Sequence, residues 1–244
     1  MYEKEIEQLQ AMIDESNRIV FFGGAGVSTE SNIPDFRSAT GIYHQKYKYS
    51  PEQVVSHSFF MKYPEAFYEF YKDRMIYPDA KPNETHLVLA KMEKLGKLKA
   101  IVTQNIDGLH QLAGSQNVYE LHGSILRNYC LKCHTFYPLE KIIASTGIPH
   151  CDKCGGIIKP DVVLYEEGLD EDVLMNSIRV ISQAEVLIVG GTSLVVQPAA
   201  SLLRYYRGNK LILVNKSTTP YDQEANVVLH ESLGKIFKEI DRIL

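Results

Sequence analysis

All four cysteines of the chain, Cys130, Cys133, Cys151 and Cys154, fall within 25 residues of one another. Their pattern, C-x2-C-x17-C-x2-C, is the spacing of two knuckles that close a tetrahedral thiolate site on zinc, and few other sequence features restrict a local fold so tightly. Redox pairs of the thioredoxin kind follow a strand in a βαβ unit, whereas these lie in the turn-like runs "YCLKCHTF" and "PHCDKCGGI". Sulfur at all four positions leaves no place for water. One zinc with a structural role is therefore expected, with His134 and His150 as bystanders. The segment that carries it, roughly residues 124–159, is too small for a core of its own and reads as an insertion into something larger.

The rest of the chain supplies that larger body. With 244 residues, 45% hydrophobic and 23% charged, it can bury one substantial core and carry a smaller lobe. Short apolar runs at 19–22, 100–103, 161–164, 186–189, 211–214 and 227–229 are separated by several helical segments. One such segment, 3–15, has Ile6, Leu9 and Ile13 at helical spacing; another starts at Pro198, runs through "AASLLRYYR" and stops at Gly208. This alternation predicts an α/β fold: a Rossmann-like parallel sheet with helices on both faces and its ligand at the carboxyl ends of the strands. The Tyr-rich stretch 42–81, broken at Pro51, Pro64 and Pro78, reads as a second insertion of short helices. The expected organisation is a single domain over 1–244. Its large lobe comes from about 1–36, 82–123 and 160–244, and its small lobe from about 37–81 together with the zinc-ribbon module 124–159.

Charge and flanks narrow the partners. A net charge of -4 with scattered Lys and Arg argues against nucleic acid, since no basic stripe is present. No apolar run reaches the roughly 18 residues of a membrane span, and the N-terminus lacks the basic and apolar regions of a leader, so a cytoplasmic location is expected.

Polar residues gather after the predicted strands. In "FFGGAGVSTESNIPDFR", Gly24 and Gly26 match the first two glycines of G-x-G-x-x-G, but Thr29 stands at the third, and Pro34 would interrupt the helix that normally follows. An ordinary dehydrogenase would also want an acidic residue about 20 positions on, where this chain has "YHQKYKY". "TQNIDGLH" brings Thr103, Gln104, Asn105 and Asp107 together, although Asp107-Gly108 is also an ordinary turn. His122 before Gly123 is placed as a general base, against the alternative of a structural histidine. Thr192 and Ser193 can donate to phosphate, and Asn215-Lys216 can meet ribose hydroxyls.

Taken together, "GAGVSTESNIPDFR", "TQNIDGLH", "ELHG", the two cysteine knuckles, "KPDVVLYEE", "GTSLVVQPAA" and "VNK" resemble, in order and spacing, the sirtuin family of NAD-dependent protein deacylases. The resemblance spans about residues 19–216, with Asn32 where the family commonly has glycine and Gly23 where many members have Thr. It implies NAD as a consumed co-substrate, held by Gly24, Ala25, Gly26, Thr29, Thr192, Ser193, Asn215 and Lys216. Phe36 would lie near the nicotinamide, and Arg37 would help order the cofactor loop. Gln104 and Ile106 would line the nicotinamide pocket that Asn105 and Asp107 organise, and His122 would take a proton from a ribose hydroxyl. The expected substrates are acyl-lysine proteins or peptides, paired along Val162, Val163 and Leu164. The expected products are nicotinamide, O-acyl-ADP-ribose and free lysine, with deacetylation prominent.

Two alternatives stay open. Tyr71 and Arg74, three apart on a predicted helix over 64–74, resemble the pair by which the desuccinylase branch grips succinyl or malonyl groups, while Asp35 argues the other way. Mono-ADP-ribosyl transfer from the same NAD site is the other. The oligomeric state is not legible.

Overall fold

The structure is a computed structural model that describes residues 2–36, 41–42 and 48–244. Its larger sheet has strands β1 (Ile19–Gly23), β2 (Leu98–Thr103) and β3 (Val118–Glu120) from the first half of the chain. The second half contributes β7 (Val186–Gly190), β8 (Leu211–Val214) and β9 (Val227–Leu229). All pairings are parallel and the order is β3-β2-β1-β7-β8-β9. The chain thus builds outward from β1 to one edge, then crosses over and builds from β7 to the other. Such a reversal opens a crevice at the carboxyl ends of the two central strands.

Why these runs are continuous apolar blocks is plain from their neighbours. Ile19 and Phe21 point into one core with Val186, Ile188, Ile212 and Val214, while Val20 and Phe22 point into another with Leu187, Val189, Leu211 and Leu213. A parallel sheet is buried on both faces, so both parities are apolar. On the first face lie α1 (Glu3–Asp14), α5 (Glu84–Lys94) and α9 (Leu233–Ile243), contributing Leu9, Leu89, Met92, Phe237 and Ile240. On the other lie α8 (Glu171–Gln183) and a 3-10 helix, Ala199–Tyr205. The segment expected to begin at Pro198 is thus a 3-10 helix with Pro198 as its cap residue.

A second sheet is antiparallel, with β4 (Gly123–Cys130) between β5 (Phe136–Pro138) and β6 (Ile158–Val162). The apolar run 161–164, expected among the parallel strands, belongs here instead. Pro160 lies inside β6 and lacks a backbone donor, which confines such a strand to an edge. The burial of β6 alternates, as on a sheet with one covered face.

The Tyr-rich stretch forms α2 (Pro51–Val54), α3 (His57–Lys62) and α4 (Pro64–Arg74), with Pro51 and Pro64 in first helical turns. Ser50 and Ser56 cap the first two by accepting from Gln53 N and Phe59 N. Phe60, Phe67, Tyr68, Phe70 and Tyr71 turn inward and share a core with Ile125, Ile142, Ile158 and Val162 of the antiparallel module. Each such side chain contributes roughly 1.5–3 kcal/mol of burial, which neither insertion could gather alone. No helix among the described residues is long and apolar enough to cross a membrane.

Candidate active site

Every strand of the parallel sheet delivers polar or glycine residues to one cavity of about 720 Å³ at its carboxyl edge. Gly24, Ala25, Gly26 and Thr29 follow β1, Gln104, Asn105, Ile106 and Asp107 follow β2, and His122 follows β3. Gly191, Thr192 and Ser193 follow β7, Asn215 and Lys216 follow β8, and Glu231 follows β9. Phe36 also lines it and packs against the second core. Of the expected cofactor residues, only Arg37 lies outside the described residues.

The glycines have a packing reason beyond the approach of a phosphate. A Cβ on Gly26 would stand 2.7 Å from Gly191 Cα, and one on Gly24 would stand 2.8 Å from Thr192 Cβ. The turns after β1 and β7 are pressed together, with Gly26 N donating to Gly191 O at 2.8 Å. Asn32 adopts φ 63, a left-handed conformation that Asn tolerates, so glycine is not required there.

Ser28 is a site residue that the sequence did not single out. Its hydroxyl donates to Asp107 Oδ2 at 2.6 Å and accepts from Asn105 Nδ2 at 3.1 Å. Asp107 Oδ1 accepts from Leu109 N at 2.9 Å, so the residue holds the turn into the next helix as well as forming a cavity wall. Burial pushes its carboxyl above the usual range, and the Ser28 and Leu109 hydrogen bonds oppose that shift. Gln104 Nε2 donates to Thr192 Oγ1 at 3.1 Å, tying the ends of β2 and β7 together.

His122 has a defined tautomer. Its Nδ1 lies 3.0 Å from Gln104 O, and a carbonyl can only accept, so Nδ1 carries the proton and Nε2 is left as an acceptor. Burial pulls the imidazole below its ordinary pKa, with the Gln104 contact opposing. Next to it, Gly123 has φ +74, and a Cβ there would lie 1.8 Å from Asp161 O. His122 O in turn accepts from Val163 N at 3.0 Å. His122 and the 161–163 segment are one seam.

Val162, Val163 and Leu164 line the cavity, and β6 is an edge strand of its sheet. Arg74 lines the cavity too, with Nε 2.6 Å from Asp73 Oδ2. Tyr71 is not among the lining residues. It is fully buried, its ring stacks on Phe67 at 5.4 Å, and its hydroxyl has no hydrogen-bond partner among the described residues. Residues three apart on a helix diverge by about 60°, enough here to send one inward and one to the cavity.

The four cysteine sulfurs lie within 4.8 Å of one another, with Cys130–Cys154 at 3.4 Å and Cys133–Cys151 at 3.5 Å. Zinc–sulfur bonds of about 2.3 Å require tetrahedral edges of about 3.8 Å, so the set fits the ion. Tyr137 Oη donates to Cys151 Sγ at 3.2 Å and Lys132 N lies 3.4 Å from Cys130 Sγ, contacts that favour thiolates. Neither His134 nor His150 belongs to the cluster.

Known proteins with this arrangement exist. The Sir2 family's sequence model matches residues 24–198. An NAD-dependent protein deacetylase of Clostridium acetobutylicum is 63% identical over 239 residues, covering 97% of this chain and 98% of that protein. A solved Sir2 variant with deacetylated p53 peptide and 3'-O-acetyl-ADP-ribose superposes with a TM-score of 0.90 at 40% identity over 97% of both chains. A Sir2 complex with p53 peptide and NAD+ gives 0.86 at 39% identity, again over 97% of each. A family match over most of the chain, an end-to-end relative at this identity and a shared fold lead to one conclusion: the chain belongs to the Sir2 family, the sirtuins.

Proposed function

We propose that this chain removes acetyl groups from lysine side chains of proteins at the expense of NAD, releasing nicotinamide, O-acetyl-ADP-ribose and free lysine. The carrying observation is that His122, with Nε2 left as an acceptor, lines the same cavity as the Ser28–Asn105–Asp107 cluster and the glycine turn after β1. A hydride-transfer fingerprint is also incomplete here, with Thr29 at the third glycine position and no acidic residue about 20 positions on. The solved relatives that hold p53 peptide with NAD+, or with an acetylated ADP-ribose, support the same assignment.

In this reading the glycine turn, Thr192 and Ser193 hold the pyrophosphate, and Asn215 and Lys216 meet the adenosine ribose. Asn105 and Asp107 organise the nicotinamide ribose with Gln104, Ile106 and Phe36 around them. The acetyl carbonyl oxygen displaces nicotinamide from the anomeric carbon of its ribose; His122 Nε2 then takes the proton of a neighbouring ribose hydroxyl as that hydroxyl attacks the imidate carbon, and water completes the release of the lysine amine. The substrate peptide pairs along Val162, Val163 and Leu164, displacing the side-chain contacts of Glu167 to Leu164 N and of Lys159 to Val162 O, and such main-chain pairing gives affinity with little sequence demand. NAD and peptide thus meet between the large lobe and the small one. The cysteine set holds one zinc with a structural role.

Incubation with NAD and an acetyl-lysine peptide is expected to yield nicotinamide and deacetylated peptide in equal amounts, with no NADH absorbance. A peptide that gains the mass of ADP-ribose would reassign the chain to ADP-ribosyl transfer. A second reading, preference for a carboxylate-bearing acyl group, is favoured by Arg74 at the cavity wall, but with Arg74 rather than Tyr71 as the contact. A guanidinium pairs a carboxylate through two parallel hydrogen bonds. Arg74→Met is therefore expected to lower desuccinylation by at least about 10-fold and leave deacetylation within about twofold. Equal efficiency on succinyl peptide before and after the change would remove Arg74 from that role.

A further inference from the structure

Ser28 lies between two successive 3-10 turns, Ala25–Val27 and Thr29–Ser31, an element with poor internal hydrogen bonding. Something outside the loop has to fix it, because Ser28 Oγ must stay within reach of both Asp107 and Asn105. One tether is Glu30, whose Oε1 accepts from Gly234 N at the start of α9, at 3.2 Å. The closer one is Asn83. Its Nδ2 donates to Val27 O at 2.8 Å, the carbonyl of the peptide bond leading into Ser28, and to Ser31 Oγ at 2.9 Å. Its Oδ1 accepts from Thr85 N at 3.0 Å, capping α5. Val27 O can only accept and Thr85 N can only donate, so the amide has one orientation.

The same helical turn reaches the other side of the cluster. Asn83 N donates to His86 Nδ1 at 3.2 Å, and the buried His86 ring packs on His110 with centroids 4.7 Å apart. His110 belongs to α6 (Leu109–Leu112), whose first residue donates to Asp107 Oδ1. The start of α5 therefore supports both partners of the Ser28–Asp107 hydrogen bond.

We infer that Asn83 is a positioning residue for the reaction, holding the Ser28 hydroxyl in register with Asn105 and Asp107. The inference rests on the reading of that cluster as part of the reaction site. A displacement of about 1 Å in such a group can lower turnover by about 100-fold.

Asn83→Ser and Asn83→Asp separate positioning from capping. Both residues cap helices about as well as Asn, but neither can donate to Val27 O and Ser31 Oγ together from that position. Both variants are expected to melt within a few degrees of the parent, with kcat on acetyl peptide lowered about 10- to 100-fold and the peptide KM within about twofold. Ser28→Ala and the double variant Asn83→Ser/Ser28→Ala are expected to share one kcat, because a residue that acts through Ser28 has nothing left to position. Turnover within about twofold of the parent in both Asn83 variants would overturn the inference, as would multiplying effects in the double variant. A parental kcat in Ser28→Ala alone would sink the reading of the cluster, and the inference with it. That outcome is distinguishable because it shows before Asn83 is touched.

Discussion

His122→Ala is expected to lower kcat for deacetylation by at least about 100-fold, the usual scale for losing a general base, while the protein keeps its melting temperature and its NAD binding. Among the described residues the side chain has one hydrogen bond, to Gln104 O, and Gln104 lines the cavity, where water can replace the imidazole. Hence a structural role for His122 predicts little change and a base predicts a large one. The pH dependence gives a second check. A base acts when neutral, and burial pulls this imidazole below its ordinary 6.5. Activity should therefore be flat through neutral pH and fall only as pH drops through a value under 6.5, since protonation removes the acceptor at Nε2. A parent-like kcat in the alanine variant, or an acid limb above ordinary imidazole values, would take His122 out of this role.

Cys151→Ser, or removal of the metal by a chelator, is expected to abolish measurable turnover and to melt the smaller core as a separate, lower-temperature transition. Zinc on four thiolates contributes on the order of 10 kcal/mol to folding of a small module. Cys130 and Cys151 are themselves buried in the core that α4 shares with Ile142, Ile158 and Val162. Losing the ion frees β4 and β6, which carry Gly123 and Val162 at their ends, so the damage is expected to reach His122 and the cavity wall at Val162. Metal analysis should find one zinc per chain in active protein. Fully active protein without zinc would contradict this, and so would loss of turnover with amide protection in β4 and β6 unchanged.

The parts of this fold that the sequence announces are those in which one physical demand dominates. Strands buried on both faces must be apolar at every position, so β1, β7, β8 and β9 stand out as blocks. Thiolate ligands must be cysteine, and turns pressed to within 3 Å must be glycine, as at Gly24 and Gly26. The failures have the opposite character. Val162, Val163 and Leu164 look like another buried block, and only the pairing with β4 shows that the strand belongs to the antiparallel sheet. Ser28 and Asn83 do their work through hydrogen bonds to residues far along the chain, Asp107 and Val27, and nothing local distinguishes them from a turn serine and a helix cap. The Tyr71–Arg74 spacing is compatible with one shared face, but the aromatic core around Phe67 draws the phenol inward.

The seam at His122 and Gly123 also says where this scaffold is free to change. A residue that must be glycine, a backbone carbonyl 1.8 Å from where its Cβ would be, and the His122 carbonyl that holds Val163 N form a joint in which position 123 admits no side chain, while the 161–163 strand takes part through its backbone alone. The position of His122 is thereby tied to that of Val163. Arg74, Met75 and Tyr77 reach the same cavity from the helical insertion, whose side chains can vary without disturbing that joint.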